Sequence, residues 1–267
     1  MKLFGRKPER YLLGLKQLPL FLTASWRAFA VFEHPLTTIW LYIVRQPPHD
    51  GVIRLRGGHI IHLSSDPADI VTVFLIFARE DYGEIIPGSN IIHIGANIGV
   101  FALFAAFSGA KNVYAFEPSA SSYKVLLKNI RANGLDSIIQ AERLAVVGRP
   151  CAPVKFPRSS DVMNAILPDS QNSDDYDLVP TITLAEIVLP LNSVDLLKSD
   201  CEGAEYNIFL QTGEEDIRKI TEIRMEYHCG PRDELIARPI GLGYTVRQFM
   251  NESEGGGCLW LTQNNTP

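Results

Sequence analysis

Cysteine is scarce in this chain: four among 267 residues, Cys151, Cys201, Cys229 and Cys258, with no two in a CxxC pair. Such spacing argues against a structural zinc and fits thiols kept reduced in the cytoplasm. An excess of positive charge is also lacking. Thirty acidic residues outnumber twenty-five basic ones, for a net charge of −5, so there is no basic footprint for a nucleic acid. No stretch of ~18 uninterrupted apolar residues exists, the length a membrane-spanning helix needs. Residues 19–44 come nearest, but Arg27, Glu33, His34 and Pro35 interrupt them. A small-residue cleavage signal is missing as well, so a secretory leader is not expected. Two glycine signatures are absent too. No G-x-x-x-x-G-K-[ST] run occurs, which excludes a P-loop. Counted from Gly95, the G-x-G-x-x-G positions hold Asn97 and Val100, so a pyrophosphate loses its close backbone approach.

Apolar sequence is abundant, with 46% hydrophobic residues. That is enough for the core of one α/β domain with an extension. The most informative stretch is 91–118. Ile91-Ile92-His93-Ile94 reads as a buried strand, Gly95-Ala96-Asn97-Ile98-Gly99 as a turn, and the apolar run after it as a helix. Val113-Tyr114-Ala115-Phe116-Glu117-Pro118 is a second strand ending in a carboxylate. Gly95 and Gly99 let the backbone turn sharply beside a ligand. Glu117, eighteen positions after Gly99, sits where an acid accepts hydrogen bonds from two ribose hydroxyls. A cofactor with ribose but without phosphate fits, and S-adenosylmethionine is the obvious candidate.

Residues 1–48 read as an N-terminal helical extension and 49–267 as the main domain, with a cofactor half near 85–150. Two amphipathic helices are expected near 10–30 and 35–45, covering the core or a substrate. The alternative is a membrane-surface anchor, with Lys2, Arg6, Lys7 and Arg10 near anionic lipid. Gly57-Gly58 predicts a two-residue hairpin between residues 52–56 and 59–63. Asp66 and Pro67 predict a helix start, with Gly83 just past its end. Tyr123, Leu126, Leu127 and Ile130 follow helical spacing, and Gly134 supplies the stop. Further strands are expected near 137–147, 194–199 and 221–227. Residues 149–180 read as a variable loop or short β excursion at the active-site edge. Residues 243–249 and 258–262 bracket a turn-rich loop and read as a terminal antiparallel hairpin.

At several places the chain resembles the FkbM family of class I S-adenosylmethionine-dependent methyltransferases. The matching residues are Gly95-Ala96-Asn97-Ile98-Gly99-Val100-Phe101, Val113 to Pro118, Asn129 to Leu135, Asp195 to Glu205 and Glu226-Tyr227-His228. The resemblance covers about residues 50–250. It implies a Rossmann-like seven-stranded sheet in the order 3-2-1-4-5-7-6, its last strand antiparallel, with helices on both faces. It also implies methyl transfer to a hydroxyl of a sugar, glycolipid or secondary metabolite. Two departures stand out. His93 replaces the family's usual aspartate, which helps hold the amino group of the cofactor's methionine, and Ala185 replaces another.

Cofactor contacts are therefore expected from His93, Gly95, Ala96, Asn97, Gly99, Glu117, Pro118 and Asp200. Acceptor chemistry belongs at the carboxyl ends of strands four and five. There Asp200, Lys198, Glu202, Glu226 and His228 are the catalytic candidates, with His228 favoured as general base by its ordinary pKa. Asp200 ends strand four, and Lys198 shares its face. Glu202 and Glu205 follow Asp200 as candidates, one of them expected only to support the first turn of the next helix. No metal is required by the spacing, although Asp200, Glu202, Glu226 and His228 could gather around a hard ion. Two other readings stay open: a catalytically silent methyltransferase-like binding module, which would account for His93, and a nicotinamide-dependent oxidoreductase.

Overall fold

The computed structural model describes residues 18–158, 166, 175–228, 230–250 and 256–264. The chain forms two compact units, Met1–Gly83 and Glu84–Pro267.

The first unit begins with α1 (Leu18–Val31) and α2 (Pro35–Val44), followed by β1 (Val52–Arg54), β2 (Ile60–His62) and α3 (Ala68–Phe77). Residues 10–17 of the expected first helix lie outside the described residues. Pro35 opens α2, where its missing N–H is harmless, and Arg45 at φ 53° ends it. The helices join through stacked rings: Tyr42 lies 4.1 Å from Phe74 and 6.1 Å from Phe21. The hairpin pairs Val52 with His62 and Arg54 with Ile60. Its connection is longer than the expected two residues, because Leu55 N donates to His59 O and Gly58 N folds back to Leu55 O. Asp66 accepts from Ala68 N at 2.7 Å, but the cap position of α3 is Pro67, one residue later than expected. That helix stops at Phe77, ahead of Gly83, because the left-handed turn falls at Glu80, φ 58°. Hairpin and α3 thus group with the N-terminal helices.

The second unit runs β3 (Asn90–Ile94), α4 (Val100–Phe107), β4 (Asn112–Phe116), α5 (Ala120–Ala132), β5 (Ile139–Glu142), β6 (Ala145–Val147), β7 (Val154–Pro157), β8 (Tyr176–Val179) and β9 (Thr181–Thr183). It continues with α6 (Leu184–Val188), β10 (Val194–Ser199), α7 (Glu205–Gln211), α8 (Glu214–Ile217), β11 (Ile220–Tyr227), α9 (Arg232–Gly241), β12 (Tyr244–Met250) and β13 (Gly257–Gln263). Seven strands form one sheet in the order β12-β13-β11-β10-β3-β4-β5. From β5 to β11 all neighbours are parallel, whereas β13 runs antiparallel to both β11 and β12. Numbered along the chain, this is 3-2-1-4-5-7-6, the expected order, closed by the expected hairpin.

Central strands are apolar nearly throughout because helices cover both faces of a parallel sheet. Ile91, Ile92, Val194, Leu197, Ile220 and Ile223 are at 0% exposure. The strand expected at 137–147 is two strands. Arg143 breaks it by bonding Pro118 O and Asp177, and β6 leaves the sheet to pair with β9. Within the expected variable loop, β7 and β8 form an antiparallel pair around Phe156 and Val179. Residues 159–165 and 167–174 lie outside the described residues. The order of the sheet reverses between β3 and β10, the switch point where α/β sheets open a crevice at their carboxyl ends.

Candidate cofactor and acceptor site

The loop leaving β3 is tied down at both sides. Gly95 N and Ala96 N donate to Phe116 O at 3.1 and 3.0 Å, while Asp200 N donates to Ile94 O at 3.1 Å. Gly95 is compelled by two constraints. Its φ is +72°, and a Cβ there would lie 1.8 Å from Asp200 O. Asn97 occupies the left-handed region at φ 49°, which asparagine tolerates. Gly99, at φ +90°, caps α4 and lies against Leu126. Asn129 on α5 donates to Ile98 O at 2.9 Å and clamps the same loop.

Glu117 stands at the end of β4, 5% exposed. Its Oε2 accepts from Asn97 N at 2.6 Å and its Oε1 from Ser119 N at 2.8 Å. Burial pushes its carboxyl up to about 7, against the pull of those two N–H groups and of Lys198. Each oxygen retains a lone pair beyond these bonds, so the group is oriented without being saturated. Pro118 follows, its carbonyl accepting from Arg143 at 3.2 Å.

His93 sits on β3 opposite Lys198 of β10. It is 2% exposed and packs edge-on to Phe101 at 5.0 Å. Neither ring nitrogen has a hydrogen-bond partner among the described residues. Burial, and then the nearby Lys198 charge, hold its pKa well below the ordinary value. This imidazole is neutral, with one donor and one acceptor unused.

The carboxyl ends of β10 and β11 bring the remaining candidates together. Lys198 Nζ pairs with Asp200 Oδ2 at 3.1 Å, as their shared strand face predicts. His228 lies between two carboxylates: Nδ1 is 3.0 Å from Glu205 Oε1, and Nε2 is 3.1 Å from Glu202 Oε2. The Glu205 bond is the main cause that raises the imidazole to about 9, against burial and with help from Glu202. His228 is therefore an imidazolium at neutral pH, a state its ordinary pKa does not suggest. Glu205, at 0% exposure, is pushed up by burial but held low overall by His228 and backbone N–H groups. It also accepts from His228 N at 2.6 Å and Gly203 N at 2.8 Å. Glu202 takes a left-handed φ of 50°. Burial raises its carboxyl to about 7, with His228 opposing and Asp200 and Glu226 adding to the rise. Asp200, Glu226 and His228 each bring a ligand-type atom within 4.8 Å of the others, but both His228 nitrogens already face carboxylates.

All the expected residues of the second unit thus line the carboxyl ends of β3, β4, β10 and β11. His34, His59 and His62 belong to the first unit. Sequence reasoning gave no role to Asn129, Ser119 or Tyr206, whose hydroxyl donates to His228 O at 2.5 Å. Asn129 left a signal: it is a polar residue on the buried stripe of α5.

The Methyltransferase FkbM domain model matches residues 93–252, more than half of the chain. The chain belongs to the FkbM methyltransferase family. A curated relative, a "Probable histone-arginine methyltransferase 1.4" of Arabidopsis thaliana, is 34% identical over 111 residues, 40% of this FkbM chain. The match spans only 19% of that relative's length. Solved structures with a similar fold include the ribosomal protein L11 methylase of Lactobacillus delbrueckii subsp. bulgaricus, at 13% identity and TM-score 0.44, covering 73% of this chain and 80% of that one. Another is M. capricolum TrmK in complex with S-adenosyl-homocysteine, at 11% identity and TM-score 0.40, covering 69% and 66%.

Proposed function

We propose that this FkbM-family chain is an S-adenosylmethionine-dependent O-methyltransferase acting on a hydroxyl of a sugar, glycolipid or secondary metabolite. The observation that carries the reading is Glu117, a buried carboxyl aimed by two loop N–H groups and still able to accept from a pair of ribose hydroxyls. The residues fit the cofactor. Glu117 would hold the ribose, and the loop of Gly95, Ala96, Asn97 and Gly99 with Pro118 would frame it. His93, with two unused nitrogens, would meet the amino-acid end, assisted by Asp200. When bound, the cofactor supplies a methyl group on a positively charged sulfur, open to in-line displacement by an oxygen nucleophile.

The chain's own contribution is position and proton handling. Lys198 fixes Asp200, which with Glu226 would accept hydrogen bonds from neighbouring hydroxyls of the acceptor molecule and so align the reacting one. Glu202 takes the hydroxyl proton as general base, since a carboxyl near 7 is matched to neutral operation. His228, protonated and gripped by Glu205, orients Glu202 and is not itself the base. The hydroxyl acceptor rests on family resemblance, and the chain's acidic balance agrees with a small molecule over nucleic acid.

Calorimetric titration of the whole chain with S-adenosylmethionine, S-adenosylhomocysteine and NADH tests the cofactor. Micromolar binding of the sulfur compounds, abolished in Glu117→Ala, is expected. An acceptor panel with label in the methyl group then tests transfer. Tight cofactor binding without turnover on any acceptor would leave a binding module instead, and selective binding of NADH would overturn the class.

A further inference from the structure

In the first unit, α1 and α2 have apolar faces that nothing described in the chain covers. Their inner faces are accounted for by Ala24, Ala28 and Thr38, all buried, and by the Phe21, Tyr42 and Phe74 rings. On the outside, Leu22, Trp26 and Phe29 follow i, i+4, i+7 on α1, and Leu36, Trp40 and Ile43 repeat that spacing on α2. Trp26 is 81% exposed and Trp40 62%. A second helical stripe opposite the packed one is what a helix shows when both its faces meet apolar surroundings. Across both helices Arg27 is the single charged residue, and Glu80 pairs with it at 2.8 Å.

Length and charge select the partner. The 10 residues of α2 rise about 15 Å, short of the ~30 Å hydrocarbon core. Among the described residues no helix is long and apolar enough to cross a membrane. Tryptophans beside aliphatic side chains suit the headgroup boundary. Residues 1–17, immediately before this face, carry five basic side chains (Lys2, Arg6, Lys7, Arg10 and Lys16) against Glu9 alone, although the whole chain is net −5. Positive charge concentrated in the sequence just ahead of an apolar face matches an anionic lipid surface. It opposes a second copy of the same segment.

We propose that α1 and α2 form an interfacial anchor that lies in the headgroup boundary of an anionic phospholipid bilayer, inserting Leu22, Trp26, Phe29, Leu36, Trp40 and Ile43. The anchor rests on the first unit alone and is independent of the methyltransferase reading.

The test uses the full chain with Trp260→Phe, so that Trp26 and Trp40 are its remaining tryptophans. Vesicles of phosphatidylcholine, with or without one third phosphatidylglycerol, are added, and tryptophan emission and co-sedimentation are followed. A blue shift and pelleting with the anionic vesicles are expected. Removing the anionic lipid, raising the salt or introducing Arg6→Gln with Lys7→Gln should weaken partitioning about tenfold or more. Leu22→Ser with Leu36→Ser should do the same, with the melting temperature preserved because both side chains are exposed. Three outcomes overturn the anchor: no response to either vesicle, undiminished binding by the serine variant, or a blue shift that grows with protein concentration without lipid. The last would assign the face to a second copy of the chain.

Discussion

A carboxylate as deeply enclosed as Glu117 is costly to ionise, and the N–H groups of Asn97 and Ser119 offset only part of that cost. Its value near 7 makes cofactor binding a reporter of its charge. Ribose hydroxyls donate best to the ionised form, so affinity for S-adenosylhomocysteine is expected to fall below pH 7, by up to about tenfold per unit. Glu117→Gln should bind about tenfold to a hundredfold more weakly and lose that pH dependence; titrations between pH 5.5 and 8 in both proteins check this. A flat wild-type profile would mean that Glu117 does not contact the ligand. His93 poses a second question at this scale. Its neutral ring can accept one hydrogen bond from an ammonium but gives no charge in return. His93→Asp restores a charge-assisted bond and should tighten S-adenosylhomocysteine about tenfold. Methylthioadenosine, which lacks the amino-acid end, is the control and should be unaffected. Equal changes for both ligands would place the amino group elsewhere.

The elements matter because two of them, the loop after β3 and the end of β10, occupy almost the same space. Gly95 is where they touch, since a Cβ on it would stand 1.8 Å from Asp200 O. Gly95→Ala must therefore part β3 from β10 at the mouth of the crevice. It should destabilise the protein by about 2–4 kcal/mol and weaken the cofactor far more than Gly134→Ala, whose Cβ meets nothing within 4 Å. Thermal melts and calorimetry on the pair distinguish the two effects. This element was plain in the sequence, as were the central strands, because strands buried on both faces must be apolar runs and a close backbone approach must be glycine. Other features were not. The return of Arg143 to Pro118 O and Asp177, which splits one expected strand into β5 and β6, depends on partners 25 and 34 residues away. Likewise, Glu205 reaches His228 across 23 residues, so local pattern could place each of them at a strand or helix end but not reveal that the carboxylate holds the imidazole protonated.

For the whole molecule these carboxylates and His228 shape stability against pH. Groups held low in the fold, Asp177, Glu186 and Glu205 among them, stabilise it above their unfolded values and lose that contribution as pH falls through their folded ones. Raised groups act in the opposite sense. Glu117 and Glu202, lifted from 4.5 to about 7, favour the fold fully below 4.5 and cease to do so as pH rises through 7. His228, lifted from 6.5 to about 9, favours it fully below 6.5 and loses that effect as pH rises through 9. Between pH 7 and 9 most of the decline belongs to His228 among these groups, the remainder being the last of the Glu117 and Glu202 titrations just above pH 7. The His228 share is on the order of 2 kcal/mol once partial exposure is allowed for, or about 5 °C in melting temperature for a unit of this length. His228→Gln keeps hydrogen-bonding capacity but not the charge, so its melting temperature should start lower at pH 7 and decline far less than the wild type's between pH 7 and 9. Should the variant decline in parallel with the wild type, the imidazolium between Glu202 and Glu205 is not what ties β11 to α7. Glu202 would then lack the oriented partner that its role as base requires.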